Sequence, residues 1–176
     1  MVGAAGSGKS TLAARLFAPA EILSSDAFRA AIAGDERDQR ATGAAFRAIG
    51  RTLERRLAAG LPTVVDATNV RAGDRRPWVL AANRHGIALV ALVLDLPGPI
   101  VLTQNAGRDR VVETGVVERH LALLRRTINR DELHAEGFGV MVVLRSTDDV
   151  RALTGIDRQP THPSESTVDR VAKDER

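Results

Sequence analysis

Gly3-Ala4-Ala5-Gly6-Ser7-Gly8-Lys9-Ser10 opens a chain of 176 residues and fits the pattern G-x-x-x-x-G-K-[ST]. Its glycines let the backbone curl so that N–H groups around Gly6, Ser7 and Gly8 point at one phosphate group. The Lys9 ammonium, a compact charge on a flexible stem, then reaches the outer phosphate oxygens. Ser10 offers a hydroxyl to Mg²⁺, and Gly3 and Thr11 complete the nucleotide-binding set. The chain has 25 Lys and Arg residues, of which only two are Lys, so a Lys at this position is more than compositional drift. The plain alternative is a flexible Gly/Ser turn before a helix.

Outward from this loop, short apolar runs alternate with longer amphipathic segments, the order expected of a parallel α/β sheet. Strands are expected near 22–24, 63–66, 87–94 and 140–144, and helices over 9–17, 27–33, 42–59, 74–84, 99–107 and 116–135. Gly60, Gly86 and Gly137 read as helix stops, and Pro99 suits a first helical turn. The whole describes a three-layer fold with a parallel sheet of about five strands between helices. Residues 1–154 make one domain, and 155–176, where apolar periodicity is lost, form a flexible tail. Only Met1 and Val2 precede Gly3, although a loop of this kind usually leaves a strand of about five or six residues. The reading favours a true start several codons upstream, and expects an upstream-extended chain to melt higher than this one.

Two further segments end apolar runs in acids. In Leu23-Ser24-Ser25-Asp26-Ala27-Phe28-Arg29, Asp26 is either a helix N-cap or a carboxylate at the carboxyl edge of the sheet, able to take a proton from an attacking hydroxyl. Arg29, three residues on, shares its helical face and is suited to hold an acceptor's phosphate. In Val64-Val65-Asp66-Ala67-Thr68-Asn69, Asp66 either meets the metal and its water or simply closes a turn.

Composition excludes several classes. No Cys is present, so there is no disulfide framework and no thiolate metal site. The longest apolar stretch, 86–94, is too short to span a bilayer and the first residues lack a secretory layout, so a cytoplasmic protein without membrane contact is expected. A formal charge of +3 permits nucleic-acid contact. With aromatics at 3% and no Tyr, such contact would rely on phosphate and sugar more than on base stacking. His85, His120, His134 and His162 show no metal-ligand spacing and no evident acidic partner. Trp78 reads as core or half-buried. Arg75-Arg76 and Arg125-Arg126 read as solvated helix faces or the lining of a strand-binding groove.

Taken in series, the phosphate loop, Ser24-Ser25-Asp26, Asp35-Glu36-Arg37-Asp38-Gln39 and Asp66-Ala67-Thr68-Asn69 resemble the 5′-hydroxyl polynucleotide kinase module of bacterial RNA end-healing and repair enzymes, within the P-loop kinase group. Asp95-Leu96-Pro97 and Glu136-Gly137-Phe138 are similar to that module too, and the likeness runs to about residue 150. The resemblance implies a P-loop NTPase fold with a helical lid. It also implies transfer of the γ-phosphoryl of ATP, with Mg²⁺, to the 5′-OH of RNA or DNA. Asp26 would be the general base, Arg29 would sit near the acceptor phosphate, Lys9 would hold the phosphates, and Ser10 and Asp66 would face the metal. The lid would contribute Arg108 and Arg110. Gln104 stands where the family usually has Arg, and the segment between Arg108 and Val112 is one residue short. Two other readings stay open: a kinase for a small acceptor, and a weakly catalytic nucleotide-binding module working with separate phosphatase or ligase proteins.

Overall fold

A computed structural model describes residues 1–35 and 39–153. Residues 36–38 of the acidic segment and the expected tail lie outside the described residues. Five short strands, all parallel, carry the fold: β1 (Val2–Gly3), β2 (Ile22–Ser24), β3 (Val64–Asp66), β4 (Val90–Leu94) and β5 (Val140–Leu144). They form a three-stranded sheet in the order β1-β4-β5 and a two-stranded pair, β2-β3. The Met1 amino group donates to the Val65 carbonyl at 3.1 Å and the Gly3 N–H to the Thr68 carbonyl at 3.0 Å, which joins the pair to β1. The register sets Gly3 against Leu94, Leu94 against Leu144, and Ser24 against Asp66. The carboxyl ends of the strands therefore meet at one edge, the place where open parallel sheets bind ligands.

Alternation along the strands sorts their side chains into two layers. Met1, Val64, Leu92, Leu94 and Leu144 pack on Leu12 and Leu16 of helix α1 (Lys9–Leu16). Val2, Ala91 and Val93 face the other way, onto Val79 of α4 (Ala72–Arg84) and Leu124 of α6 (Thr114–Asn129). On that second side Leu23 also meets Ile49 and Leu53 of α3 (Thr42–Ala58). Each such Val, Leu, Ile or Met side chain contributes about 1.5–3 kcal/mol by leaving water. Near-continuous apolar strands with helices on both faces are what a buried parallel sheet requires.

The expected stops hold. Gly60, Gly86 and Gly137 all adopt positive φ, at 65°, 63° and 109°, where a side chain would be strained. The helix expected over 116–135 is in fact two: α6 ends at Asn129 and α7 (Glu132–Glu136) follows. Asp131 between them lies in the left-handed region at φ 53°, which Asp tolerates better than most residues. The Thr127 hydroxyl donates to Glu132 across the break at 2.9 Å. Helix α2 (Ser25–Ala33) starts two residues earlier than expected because Ser24, not Asp26, is its N-cap, accepting from the Ala27 N–H at 3.4 Å. A short α8 (Thr147–Ala152) was not expected, although the capping box of Ser146 and Asp149 announces it. Among the described residues no helix is long and apolar enough to cross a membrane.

Candidate active site

Between β1 and α1 the glycine loop turns through two left-handed residues, Gly6 at φ 79° and Gly8 at φ 86°. No side chain caps the start of α1 and no acid lies in its first turn. Its N–H groups and positive dipole end therefore face the cleft unopposed, a ready site for phosphate. Lys9 is buried and its ammonium donates to the Ala4 carbonyl at 2.6 Å. Burial pushes its pKa down to about 8; the nearby Asp66 carboxylate works against that fall, and Arg108 adds to it. A polyphosphate would supply the negative charge that this buried cation lacks.

The loop glycines have different reasons to be glycine. A Cβ on Gly6 would stand 2.7 Å from the Asn105 Cβ and 3.0 Å from its Cα, whereas a Cβ on Gly8 would meet nothing nearer than Gln104 at 4.0 Å. Gly8→Ala thus carries only the left-handed backbone cost of about 1–2 kcal/mol. Gly6→Ala adds overpacking against a helix backbone, a further 1–3 kcal/mol or so. Chemical denaturation without nucleotide is expected to show the larger loss for Gly6→Ala; equal losses would mean that the loop does not press on Asn105.

Asn105 belongs to α5 (Gly98–Ala106), which precedes the segment carrying Arg108 and Arg110. Its buried amide donates to the Val112 carbonyl at 2.7 Å and accepts from the Val112 N–H at 3.1 Å. These two bonds close the base of the 106–112 loop, so both arginines hang over the cleft from an irregular connection between α5 and α6 whose ends are fixed. Sequence reasoning passed over Asn105, which sits beside the conspicuous Gln104.

A single cleft of about 1000 Å³ takes in the glycine loop, Asp26, Arg29, Asp66, Arg108 and Arg110. Ser10, Thr11 and Gln104 line it as well. Freed from capping by Ser24, the Asp26 carboxylate pairs with Arg29 and has Arg110 at 3.8 Å. Asp66 is buried at the end of β3. Ser10 and Asp66 are hard oxygen donors, the type Mg²⁺ prefers. Among the described residues no cluster of three His, Cys, Asp or Glu could hold a metal by itself.

His120 of α6 also lines the cleft, with Nδ1 buried and without a hydrogen-bond partner. Burial holds it below the usual histidine range, and Lys9 and Arg71 add to that. Other histidines correct the sequence reading, for two have acidic partners: His85 Nε2 lies 2.8 Å from Glu54 and His134 Nδ1 lies 2.7 Å from Asp131. His162 lies outside the described residues.

Arg75 is a second correction. It is only 1% exposed and pairs through two nitrogens with Glu136 while donating to the Asn69 carbonyl at 2.9 Å. Asn69, held at φ 50°, donates to the Met1 carbonyl at 2.9 Å and accepts from the Trp78 Nε1–H at 3.1 Å. Trp78 is buried, as expected, and stacks on Phe46. These residues brace the turn after β3 against the strand that feeds the glycine loop. Arg125 leans toward Asp95 at 3.8 Å.

Comparison with known proteins agrees with this geometry. The family model described as AAA domain matches residues 1–130, which include the glycine loop, Asp26, Asp66, Arg108 and Arg110. No curated protein matches the chain. With the matched span covering most of its length, the chain belongs to the AAA domain family, a P-loop NTPase-type kinase family.

Proposed function

We propose that the chain is an ATP-dependent kinase that transfers the γ-phosphoryl group to the 5′-OH end of RNA or DNA. The observation that carries this reading is that one cleft holds both a phosphate loop and, apart from it, a carboxylate flanked by two arginines. Its volume lies at the top of the roughly 300–1,000 Å³ range of small-molecule sites, which suits a donor and an acceptor bound together. The resemblance of the strand-end segments to the polynucleotide kinase module selects the acceptor.

In this reading the loop N–H groups and Lys9 hold the β- and γ-phosphates. Asp26 orients the acceptor hydroxyl and takes its proton as the O–P bond forms and the bond to the ADP leaving group breaks. Arg29 holds the acceptor's first phosphate, and Arg108 and Arg110 neutralise charge that builds on the transferring group. Ser10, with Asp66 nearby, would hold a Mg²⁺ ion, whose chemistry would be to offset phosphate charge. Gln104 adds only a neutral amide to this set.

The test is a panel of acceptors offered with labelled ATP and Mg²⁺: a 5′-OH RNA oligomer, its DNA twin, nucleosides and simple sugars. Label on the oligomers, with the RNA-to-DNA ratio naming the substrate, is the expected result. Label on a small acceptor alone would replace this reading with the metabolite kinase.

A further inference from the structure

A groove runs between α3 and α4 on the side of the Phe46–Trp78 stack away from the cleft. Phe46 lines the cleft and Trp78 lines the groove, so the stacked pair is the wall between them. The two sites adjoin on both helices, where Phe46 of the cleft precedes Arg47 of the groove and Gly73 of the groove precedes Asp74 of the cleft.

Two stripes face each other across it. Arg47, Gly50, Arg51 and Glu54 follow helical spacing on α3, as do Gly73, Arg76, Pro77, Leu80 and Arg84 on α4. The only acid of the lining, Glu54, is taken up by Arg84 and His85. Among the described residues, Arg47, Arg51 and Arg76 are exposed and make no ion pair. Three cations are thus left without counter-charge on one surface.

The glycines are an independent observation. Gly50 lies inside α3 and Gly73 in the first turn of α4; neither has positive φ, and a Cβ on either would meet nothing within 4 Å. Neither a turn nor packing requires them, and Gly is a poor helix former. Both line the groove, where an added side chain would stand in open space.

We infer that this groove binds the phosphodiester strand that trails from the acceptor end, with Arg47, Arg51 and Arg76 on successive phosphates. A sugar or a flat base would rest over Gly50 and Gly73. The inference rests on the kinase reading above and deepens it, because it gives the strand beyond the acceptor nucleotide a binding surface of its own.

The test uses the full chain and a 3′-fluorescent single strand of roughly twelve nucleotides, within the span one binding surface covers, as RNA and as DNA. Binding is followed by anisotropy across a salt series, beside phosphorylation of the same strand and of a 5′-OH dinucleotide. Combined Arg47→Gln, Arg51→Gln and Arg76→Gln is expected to weaken strand binding at least tenfold and to make the salt slope shallower by about 2, as loss of three phosphate contacts on a single strand requires. Dinucleotide phosphorylation should stay unchanged. Gly50→Ala with Gly73→Ala should raise the melting temperature and yet weaken strand binding. Unchanged strand affinity and salt slope in both variants, with phosphorylation intact, would overturn the groove and leave the kinase standing. Absence of both strand binding and strand phosphorylation in the unaltered chain would bring down both.

Discussion

Asp26→Ala is expected to lower turnover by about 10²–10⁴-fold, the usual contribution of a positioned general base, while ATP affinity stays nearly intact. The reason is positional. Asp26 stands on α2 among arginines, on a different element from the glycine loop that holds the donor phosphates in the proposed reading. Because Asp26 is also a carboxylate partner of the buried Arg29, a thermal melt of the variant accompanies the kinetics and separates lost stability from lost chemistry. Asp26→Asn keeps the shape and removes the base, and should lose turnover alike. Lys9→Ala should behave differently, damaging both affinity and turnover, since in the proposed reading Lys9 meets the donor phosphates in ground and transition states; about 10²–10³-fold in turnover is typical for one lost electrostatic contact. Steady-state kinetics with calorimetric ATP titration separate the two patterns. Wild-type turnover in Asp26→Ala would remove the general-base assignment.

The second large effect concerns stability. Glu136→Ala leaves the Arg75 guanidinium buried with a backbone carbonyl as its remaining partner, and breaking a buried pair from one side costs about 3–5 kcal/mol. For a chain of this size that is a fall in melting temperature on the order of 10 °C. Arg75 also bonds to Asn69, which ties the turn after β3 to Met1, so the loosened turn should weaken ATP binding secondarily. Replacing both partners, Arg75→Met with Glu136→Met, should recover most of the loss, because an apolar pair leaves no charge unpaired. Thermal melts of the single and double variants check this; a double variant no more stable than Glu136→Ala would show that the pair is not the source.

Local chemistry was legible in the sequence, and long-range partnership was not. The glycine loop, the strand ends at Ser24, Asp66 and Leu94, and the glycine stops each depend on residues within a few positions of one another, and all appear where the pattern put them. At Asp26, where the sequence left cap and cleft carboxylate both open, Ser24 two residues earlier took the capping role and left the carboxylate to the cleft. The Arg75–Glu136 pair spans 61 positions and the Asn69–Met1 bond 68, separations at which neither periodicity nor motif spacing carries a signal. Arg75 therefore looked like any surface arginine, and Asn69 like any turn residue. Asn105 escaped because its work, closing a loop through both edges of one amide, leaves no trace except an Asn near a glycine. The break between α6 and α7 shows the opposite limit: apolar periodicity continued through Asp131 while the backbone did not.

The most direct test of the account is a single-turnover reaction of γ-labelled ATP and Mg²⁺ with a 5′-OH RNA oligomer, run on the wild-type chain and on Asp26→Ala side by side. The account predicts a labelled 5′-phosphate on the oligomer that a phosphatase removes and that the variant fails to form. Label appearing only as inorganic phosphate, or forming equally fast in the variant, would contradict it.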